Sequence, residues 1–311
     1  MGEIQIGDKI WSKQGWTTVI NKQSTGIKDV YEYHTTAGSF YGTENHRIVS
    51  KGVKVEVKNA KNIDVIAGHN ESCKEFDPQA IMDGLVLGDG SVHKASNNLV
   101  YLCIGTNDQD YFTSEIKDLI IQHRPALKDV AYVIKTTITP EELPYTFLRE
   151  IPERYFKADS KTVVSFLRGL YSANGSVVSK RVTYKTASSK LRDQLQILLS
   201  SVGIRSYYTV NKPKKVTFSN GEYECKESYD INISTDRNTF YENIGFLQNY
   251  KMEKLSKTLD GIRQSNKNHD IISTTFISTE EVFDITVDNS SHTYWTGGLD
   301  VSNCGEIGMG Q

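Results

Sequence analysis

Residues 84–92 read GLVLGDGSV, and 85 positions later residues 169–177 read GLYSANGSV. In each copy an apolar stretch ends at an acidic or amide residue, Asp89 or Asn174, which is followed by glycine. Such a stretch predicts a short helix that stops at this residue and leads into a strand. The duplication therefore predicts two equivalent halves of one α/β domain, related by a pseudo-twofold axis.

The same patterns follow each copy. Strand-like runs lie at residues 100–104 and 182–185, and stretches with helical periodicity lie at residues 115–122 and 189–202. The last stretch carries one leucine stripe, formed by Leu191, Leu195, Leu198 and Leu199. We therefore predict a helix at each of these two stretches.

Small residues are spaced four apart in each copy, as Gly84 with Gly88 and Gly169 with Ala173. Residues four apart lie on one helix face, so two such faces allow two helices to pack with their backbones close together. The ends of the helices would then meet, and two carboxylates there could hold divalent metal ions against a phosphate. The alternative is that the Asp-Gly and Asn-Gly pairs only end their helices as C-caps.

Residues of about 75–260 resemble the LAGLIDADG homing endonucleases. Besides the two motif copies, the resemblance rests on three short segments, residues 151–153, 186–188 and 244–246. It implies an α/β pseudo-twofold endonuclease domain, double-stranded DNA at a homing site as the partner, and Mg²⁺ or Mn²⁺ as the cofactor.

By this resemblance each motif copy should end in a metal-binding acid, so Asp89 and Asn174 are the predicted catalytic and metal-ligating residues. Asn174 departs from the pattern, because a neutral amide binds Mg²⁺ poorly and cannot act as a base. Double-strand cleavage, nicking and DNA binding alone therefore stay open. Lys185 is a candidate catalytic or phosphate-contacting lysine, and a solvated strand residue is the alternative.

The flanks of this domain are rich in β-branched and aromatic residues separated by glycine turns, which predicts short strands. The strand-like runs are residues 16–20, 30–35, 47–50, 271–277, 282–287 and 293–295. A β-rich unit interrupted by an insertion explains this order. The predicted segments are residues 1–68, the insertion 69–268, residues 269–303, and a short tail, 304–311.

The end of the chain joins Asn303 directly to Cys304. The side-chain amide of an asparagine can attack its own carbonyl and cut the chain after it, and a cysteine thiol can receive an acyl group. Thr43 and His46 lie three apart at a predicted turn, where their side chains could polarise one backbone amide. Alone, this pair has an ordinary structural role as its alternative.

Together these flanks resemble the Hint splicing domain of inteins. The matching segments are residues 6–10, 43–46, 282–287 with His292, and 301–304. The resemblance implies an all-β, horseshoe-like Hint domain interrupted by the α/β endonuclease domain. It implies that Thr43 and His46 activate the upstream bond and that Asp284 assists acyl transfer.

At the downstream end, the resemblance implies that His292 helps Asn303 to cyclise and that Cys304 is the second nucleophile, formally the first residue of the host protein. Ser302 stands where inteins usually have histidine, which predicts slow cleavage or a greater dependence on His292. Splicing itself needs no cofactor.

The first nucleophile of an intein is missing, since the chain opens with Met1 and has no cysteine before Cys73. We therefore predict the C-terminal fragment of a split intein, whose partners are an N-terminal fragment bearing a Cys or Ser nucleophile and the host exteins. A truncated gene is the alternative. No apolar run is long enough for a membrane span, and the scattered cysteines favour a reducing cytoplasm without disulfides or zinc. We expect the protein to be a monomer.

The first functional hypothesis is thus protein splicing in trans, with an endonuclease domain that is impaired or nicks DNA. The second is a homing endonuclease or DNA-binding protein with vestigial splicing flanks. The net charge of −2 requires any DNA-binding surface to be local.

Overall fold

A computed structural model describes residues 2–69, 75–93, 99–105, 108, 116–125, 129–218, 221–261 and 268–303. The chain forms two compact units. The outer unit comprises Met1–Asn70 and Gln264–Gln311, and the inserted unit comprises Glu71–Arg263. The protein is mostly β, with few helices.

The helices all lie in the inserted unit, as far as the described residues go. They are α1 (Pro78–Asp89), α2 (Ser160–Asn174), α3 (Ser189–Ser201), α4 (Arg237–Asn243) and α5 (Asn249–Ser256). The strands are β1 (Lys9–Ser12), β2 (Gly15–Thr35), β3 (Gly38–Gly42), β4 (Arg47–Ser50), β5 (Val53–Glu56), β6 (Asn62–Asp64), β7 (Gly90–His93), β8 (Leu99–Gly105), β9 (Ile120–Pro125), β10 (Asp129–Ile134), β11 (Gly175–Val178), β12 (Arg181–Thr186), β13 (Tyr207–Asn211), β14 (Lys214–Phe218), β15 (Gly221–Cys225), β16 (Ser228–Ile233), β17 (Asn268–Val287), β18 (Thr293–Thr296) and β19 (Leu299–Ser302).

The inserted unit repeats one topology twice. After α1 comes a four-stranded sheet of order β7-β8-β10-β9, and after α2 comes one of order β11-β12-β16-β13. In both sheets the strands run first, second, fourth, third in chain order, so the duplicated sequence does form two equivalent halves. The hairpin β14–β15 is an addition to the second half.

The two motif helices begin alike. Asp77 precedes α1 and its carboxylate accepts from the Gln79 N–H at 2.9 Å, while Asp159 precedes α2 and accepts from the Thr162 N–H at 2.8 Å. An acidic N-cap of this kind satisfies an N–H that would otherwise lack a partner. Both helices then run through the core of the inserted unit, where Leu85, Phe166, Leu170, Tyr171 and Tyr184 are almost fully buried.

The predicted helix at residues 189–202 is confirmed as α3, and all four leucines of its stripe are buried. The helix predicted at residues 115–122 is wrong. Residue 115 lies outside the described part of the chain, Lys117–Leu119 form a single 3₁₀ turn, and β9 begins at Ile120. The β-branched pair Ile120 and Ile121 suits a strand, and pairing with β10 outweighs the weak helical period.

The outer unit contains only strands and one 3₁₀ turn among its described residues. One sheet has the order β1-β2-β17-β6, with β3 also pairing with β2, and a second has the order β18-β19-β4-β5. Between them lies a core that includes Val19, Phe40, Ile48, Ile285 and Val301. The two strands predicted at 271–277 and 282–287 form one continuous strand, β17, because register shifts let it pair with β2 from Ile271 to Val287.

Candidate functional site

Helices α1 and α2 pack with their backbones in contact, at the small residues that predicted this. A Cβ atom at Gly84 would lie 2.7 Å from the Leu170 nitrogen, and one at Gly169 would lie 2.9 Å from the Leu85 nitrogen. Ordinary contact begins at about 3.4 Å, so only glycine fits at either position. This packing brings the C-terminal ends of the two helices together.

The helices end at Asp89 and Asn174, as predicted, but not through a left-handed glycine. Gly90 and Gly175 have φ values of −67° and −85° and continue directly into strands β7 and β11. A Cβ atom at Gly90 would lie 2.8 Å from the Val86 side chain. Glycine is therefore required by close contact, and not by the positive φ that usually favours it at a C-cap.

Arg149 holds the end of α1. Its guanidinium is buried and donates to the carbonyl oxygens of Leu87 and Gly90, both at 2.6 Å, and to that of Gly88. A cation there complements the partial negative charge of a helix C-terminus. The residue before Gly90 is Asp89, so Arg149 fixes the backbone that carries this carboxylate.

Lys251 holds the end of α2 in an equivalent way. Its Nζ atom donates to the carbonyl oxygens of Ser172 and Gly175, both at 2.8 Å. These carbonyls are the counterparts, in the second motif copy, of two that Arg149 binds. Burial lowers the pKa of Lys251 to about 8, although the charges of Asp108 and Asp89 oppose this.

The Asp89 side chain reaches solvent at the end of α1. Partial burial nevertheless raises its pKa, whereas the charges of Arg149 and Lys251 lower it and that of Asp108 raises it. Asp89 is thus a carboxylate between two fixed cations, a setting typical of a site that binds charged ligands.

The end of the second motif copy differs. The Asn174 Nδ2 group donates to the Gly88 carbonyl oxygen at 3.1 Å, and the Asn174 side chain also hydrogen-bonds with that of buried Tyr184. Asn174 therefore joins the two helix ends. Its predicted role as a metal ligand stays a prediction.

A second carboxylate lies near Asp89. Asp89 and Asp108 line the same small cavity, of about 60 Å³, and the Tyr250 hydroxyl donates to Asp108 at 3.0 Å. Mg²⁺ is usually bound by one or two carboxylates, with water and substrate phosphates completing its shell. These two residues fit that requirement, while the described part of the chain contains no group of three or more His, Cys, Asp or Glu residues placed to bind a metal.

Lys185 is exposed on β12. Its neighbour Tyr184 faces the end of α2, and successive side chains of a strand point to opposite faces. Lys185 therefore lies on the face of the sheet directed away from the helix ends, where its role in contacting phosphate stays a prediction.

In the outer unit, Thr43, His46 and Asp284 line one cavity of about 470 Å³. The Thr43 hydroxyl donates to Asn45 Oδ1 at 2.8 Å, and the His46 N–H donates to the Thr43 carbonyl at 2.9 Å, which forms the predicted turn. His46 packs against Phe40, and burial lowers the pKa of His46 to about 4, so its imidazole is neutral at pH 7.

The downstream junction lies at the end of the hairpin β18–β19. The Asn303 N–H donates to the His292 carbonyl at 3.1 Å, and the Ser302 hydroxyl lies 3.1 Å from that oxygen and 3.0 Å from the Asn303 carbonyl oxygen. The His292 side chain is exposed and its φ is +50°. Asn303 is buried, and neither atom of its side-chain amide has a partner among the described residues, to which Cys304 does not belong.

A buried carboxylate lies three residues before the junction. Asp300 is 2% exposed, accepts from Thr293, and has no partner for Oδ1 within the described ranges. Burial raises the pKa of Asp300 to about 6. The strand thus carries a charge in the core of the outer unit at pH 7.

Sequence reasoning missed Arg149, Lys251, Asp108 and Asp300. The first three come from loops or from α5, outside the motif copies, and no local pattern marks them. The 85-residue offset shows which carbonyls of the two motif copies are equivalent, but it does not show which cations bind them.

Residues 161–245, which include α2 and the second sheet, match the family described as the LAGLIDADG-like domain. The chain therefore contains a LAGLIDADG-like domain. No helix in the described ranges has the length and apolar character needed to cross a membrane.

Curated proteins with different names share sequence with this chain. It is 27% identical over 203 residues to a probable translation initiation factor IF-2 of Methanocaldococcus jannaschii, across 59% of this chain and 16% of that protein. It is 28% identical over 210 residues to the replication factor C small subunit of the same organism, across 61% of this chain and 10% of that protein. It is 31% identical over 118 residues to a DNA polymerase of Thermococcus hydrothermalis, across 36% and 7%. The chain thus spans a sixth or less of each of these relatives.

Similar solved structures include the homing endonuclease I-DmoI in complex with DNA and Ca, with a TM-score of 0.36 and 18% identity, covering 54% of this chain and 88% of that one. Another is the homing endonuclease I-WcaI bound to its DNA recognition sequence, with a TM-score of 0.31 and 14% identity, covering 58% of this chain and 85% of that one.

Proposed function

We propose that the inserted unit binds double-stranded DNA and nicks one strand of it. The observation that carries this proposal is the pair of glycine-packed helices that presents Asp89 between Arg149 and Lys251, in a chain that contains a LAGLIDADG-like domain. Convergent carboxylate and cationic groups suit a scissile phosphodiester and the ion that neutralises it.

Asp89 and Asp108 would hold one divalent ion, Mg²⁺ or Mn²⁺. When bound, this ion would polarise the scissile phosphate and lower the pKa of the attacking water. Lys251 uses two of its three N–H groups on backbone carbonyls, and the third is left to donate to a phosphate oxygen. Arg149 donates to three carbonyls and keeps Asp89 in position.

The difference between the two helix ends favours one cut over two. The end of α1 offers a carboxylate, whereas the end of α2 offers an amide that is already bonded to Gly88 and Tyr184. A second ion would have to bind beside Asn174 without an acid from the motif, which is unfavourable.

The proposal can be tested on a supercoiled plasmid library that carries randomised duplex inserts, incubated with the protein and Mg²⁺ or Mn²⁺. Nicked circles should accumulate at enriched sequences, and Asp89→Asn should abolish them. Asp118→Asn is the matched control, because Asp118 is an exposed acid in the same half of the unit. Retained nicking in Asp89→Asn, or a linear product from the unmodified chain, would contradict the proposal.

We further infer that the outer unit cleaves its own chain after Asn303, as the last step of protein splicing. The specific observation is the buried Asn303 amide, whose nitrogen has no described partner and lies in a site closed to water. Thr43 and His46, which line one cavity with Asp284, would activate the upstream bond. Asp284 would assist acyl transfer, and Cys304 would accept the acyl group. Trans-splicing with an N-terminal fragment that bears a Cys or Ser nucleophile, and with host exteins, remains the fuller form of this proposal.

The relatives favour the second activity as well. Parts of this chain match an initiation factor, a replication factor and a DNA polymerase, and each match occupies 16% or less of the relative. These three names share no activity that would explain a common sequence. A self-removing element inserted into unrelated host proteins would explain it, because such an element is found in proteins of any function. Mass spectrometry of the chain with a synthetic N-terminal peptide led by cysteine would test ligation directly, and Asn303→Ala should block it.

A further inference from the structure

We infer that the Ser302 hydroxyl is a catalytic group that stabilises the oxyanion formed when Asn303 cyclises. This inference rests on the proposed cleavage after Asn303. Ser302 is completely buried at the end of β19, and its Oγ atom lies 3.0 Å from the oxygen of the Asn303 carbonyl, the bond that would be cut. The residue that departs from the expected histidine is thus in direct contact with the reacting carbonyl.

Asn303 cyclises by attack on its own backbone carbonyl. The Asn303 Nδ2 atom attacks its own backbone carbonyl carbon, and the carbonyl oxygen takes the negative charge of a tetrahedral intermediate. The bond from that carbon to the Cys304 nitrogen then breaks, and the proton lost by Nδ2 ends on this leaving nitrogen. The products are a C-terminal succinimide and a chain that starts with a free Cys304 amine, and no water is consumed.

The hydroxyl has one proton and two carbonyl acceptors. Before reaction, Ser302 can donate to the His292 carbonyl at 3.1 Å or to the Asn303 carbonyl at 3.0 Å. When the Asn303 oxygen becomes an oxyanion it is much the stronger acceptor, because hydrogen bonds to charged groups are about twice as strong as neutral ones. The Ser302 hydroxyl then points its hydrogen at the oxyanion and keeps its proton. This hydrogen bond is stronger in the transition state than in the ground state, so it lowers the barrier of the reaction.

The surroundings make this hydrogen bond effective. Ser302 and Asn303 are both buried, so water does not compete for the oxyanion. The Asn303 N–H holds the His292 carbonyl at 3.1 Å, which fixes the alternative acceptor beside the hydroxyl. A serine hydroxyl also does not titrate near neutral pH, so this group needs no protonation step.

The test measures the rate at which the full chain loses residues 304–311, by intact-protein mass spectrometry. Removing one oxyanion donor slows catalysis by a factor of about 100, and we expect Ser302→Ala to show a loss of this size. Ser302→Thr keeps the hydroxyl and should stay within a few-fold of the parent rate. Ser12→Ala is the matched control, since Ser12 is also fully buried in this unit and donates to a carbonyl, that of Gly15, at 2.8 Å.

Tryptophan fluorescence verifies that each variant is folded, because all three tryptophans lie in the outer unit. Equal rates for the parent and Ser302→Ala would overturn the role of Ser302 while leaving the cleavage reaction intact. Equally slow Ser302→Ala and Ser302→Thr proteins, both folded, would assign the effect to packing and also overturn it. A parent chain that never cleaves would overturn the proposed cleavage itself.

Discussion

Replacing Gly169 by alanine tests the helix contact on which the nuclease site depends. The new Cβ atom would lie 2.8 Å from the Ile81 carbonyl carbon and 2.9 Å from the Leu85 nitrogen, where ordinary contact begins at about 3.4 Å. Both atoms are backbone, so α1 and α2 must separate by about half an ångström or more. A gap of that size forfeits at least a quarter of the dispersion energy of the atoms that separate.

Helix propensity and overpacking predict opposite signs for the change in unfolding free energy caused by Gly169→Ala. In a helix that touches nothing, Gly→Ala stabilises by about 1 kcal/mol. Overpacking of a core costs about 1–3 kcal/mol, and two backbone contacts place this site at the upper end. We therefore expect a net loss of about 2 kcal/mol, which lowers the melting temperature of a unit of this size by about 4–8 °C.

Two optical signals separate the units. The described helices all lie in the inserted unit, so the far-ultraviolet helical signal follows its unfolding, while tryptophan fluorescence follows the outer unit. The helical transition should move down in Gly169→Ala and the fluorescence transition should not. Ala173→Gly is the reference variant: it removes a methyl at the same interface without a clash, so it should cost only the roughly 1 kcal/mol of helix propensity, less than Gly169→Ala. An unchanged or raised helical transition in Gly169→Ala would refute the reasoning.

Three further outcomes are expected. Asn174→Asp should convert part of the nicked DNA to linear DNA, measured on gels, and should destabilise the inserted unit because the amide donor to Gly88 is lost. Nicking should decline as pH rises through about 8, where Lys251 loses its proton, and Lys251→Arg should remove that decline if kinetics are followed from pH 7 to 10. Asp300→Asn should stabilise the outer unit at pH 7 by about 1–3 kcal/mol, since one pKa unit corresponds to about 1.4 kcal/mol. Because the folded pKa of Asp300 is raised to about 6, the parent loses stability as pH rises from 3.8 to 6, so the advantage of Asp300→Asn in fluorescence-detected unfolding should vanish near pH 4.

The helix pairing was predictable because its signal is local and repeated. Gly84, Gly88, Gly169 and Ala173 report a close approach through spacing alone, and the structure confirms it. Helix α3 was predictable for the same reason, since its buried leucines keep the helical period over the whole element.

The groups around Asp89 could not be predicted in this way. Arg149 and Lys251 act through backbone carbonyls that any residue could provide, so no side-chain pattern reveals the contact. Asp108 approaches Asp89 only because strand β8 carries the chain back past the end of α1. From the sequence, Ser302 was assessed only as a replacement for the usual histidine. The hydrogen bond from its hydroxyl to the Asn303 carbonyl oxygen depends on the backbone conformation at the end of β19, which the sequence does not specify.

The pairing of β6 with β17 has a consequence for how this chain can be rebuilt. Asp64 lies opposite Asn268, so the last strand before the inserted unit and the first strand after it are neighbours in one sheet, about 4.8 Å apart. Closing a loop costs free energy that grows only slowly with its length. For the folding of the outer unit, the inserted unit (Glu71–Arg263) is therefore only a long loop between two neighbouring strands. The inserted unit should therefore be replaceable by a few glycines, or by any domain whose two ends lie close together, without disturbing the strands on either side.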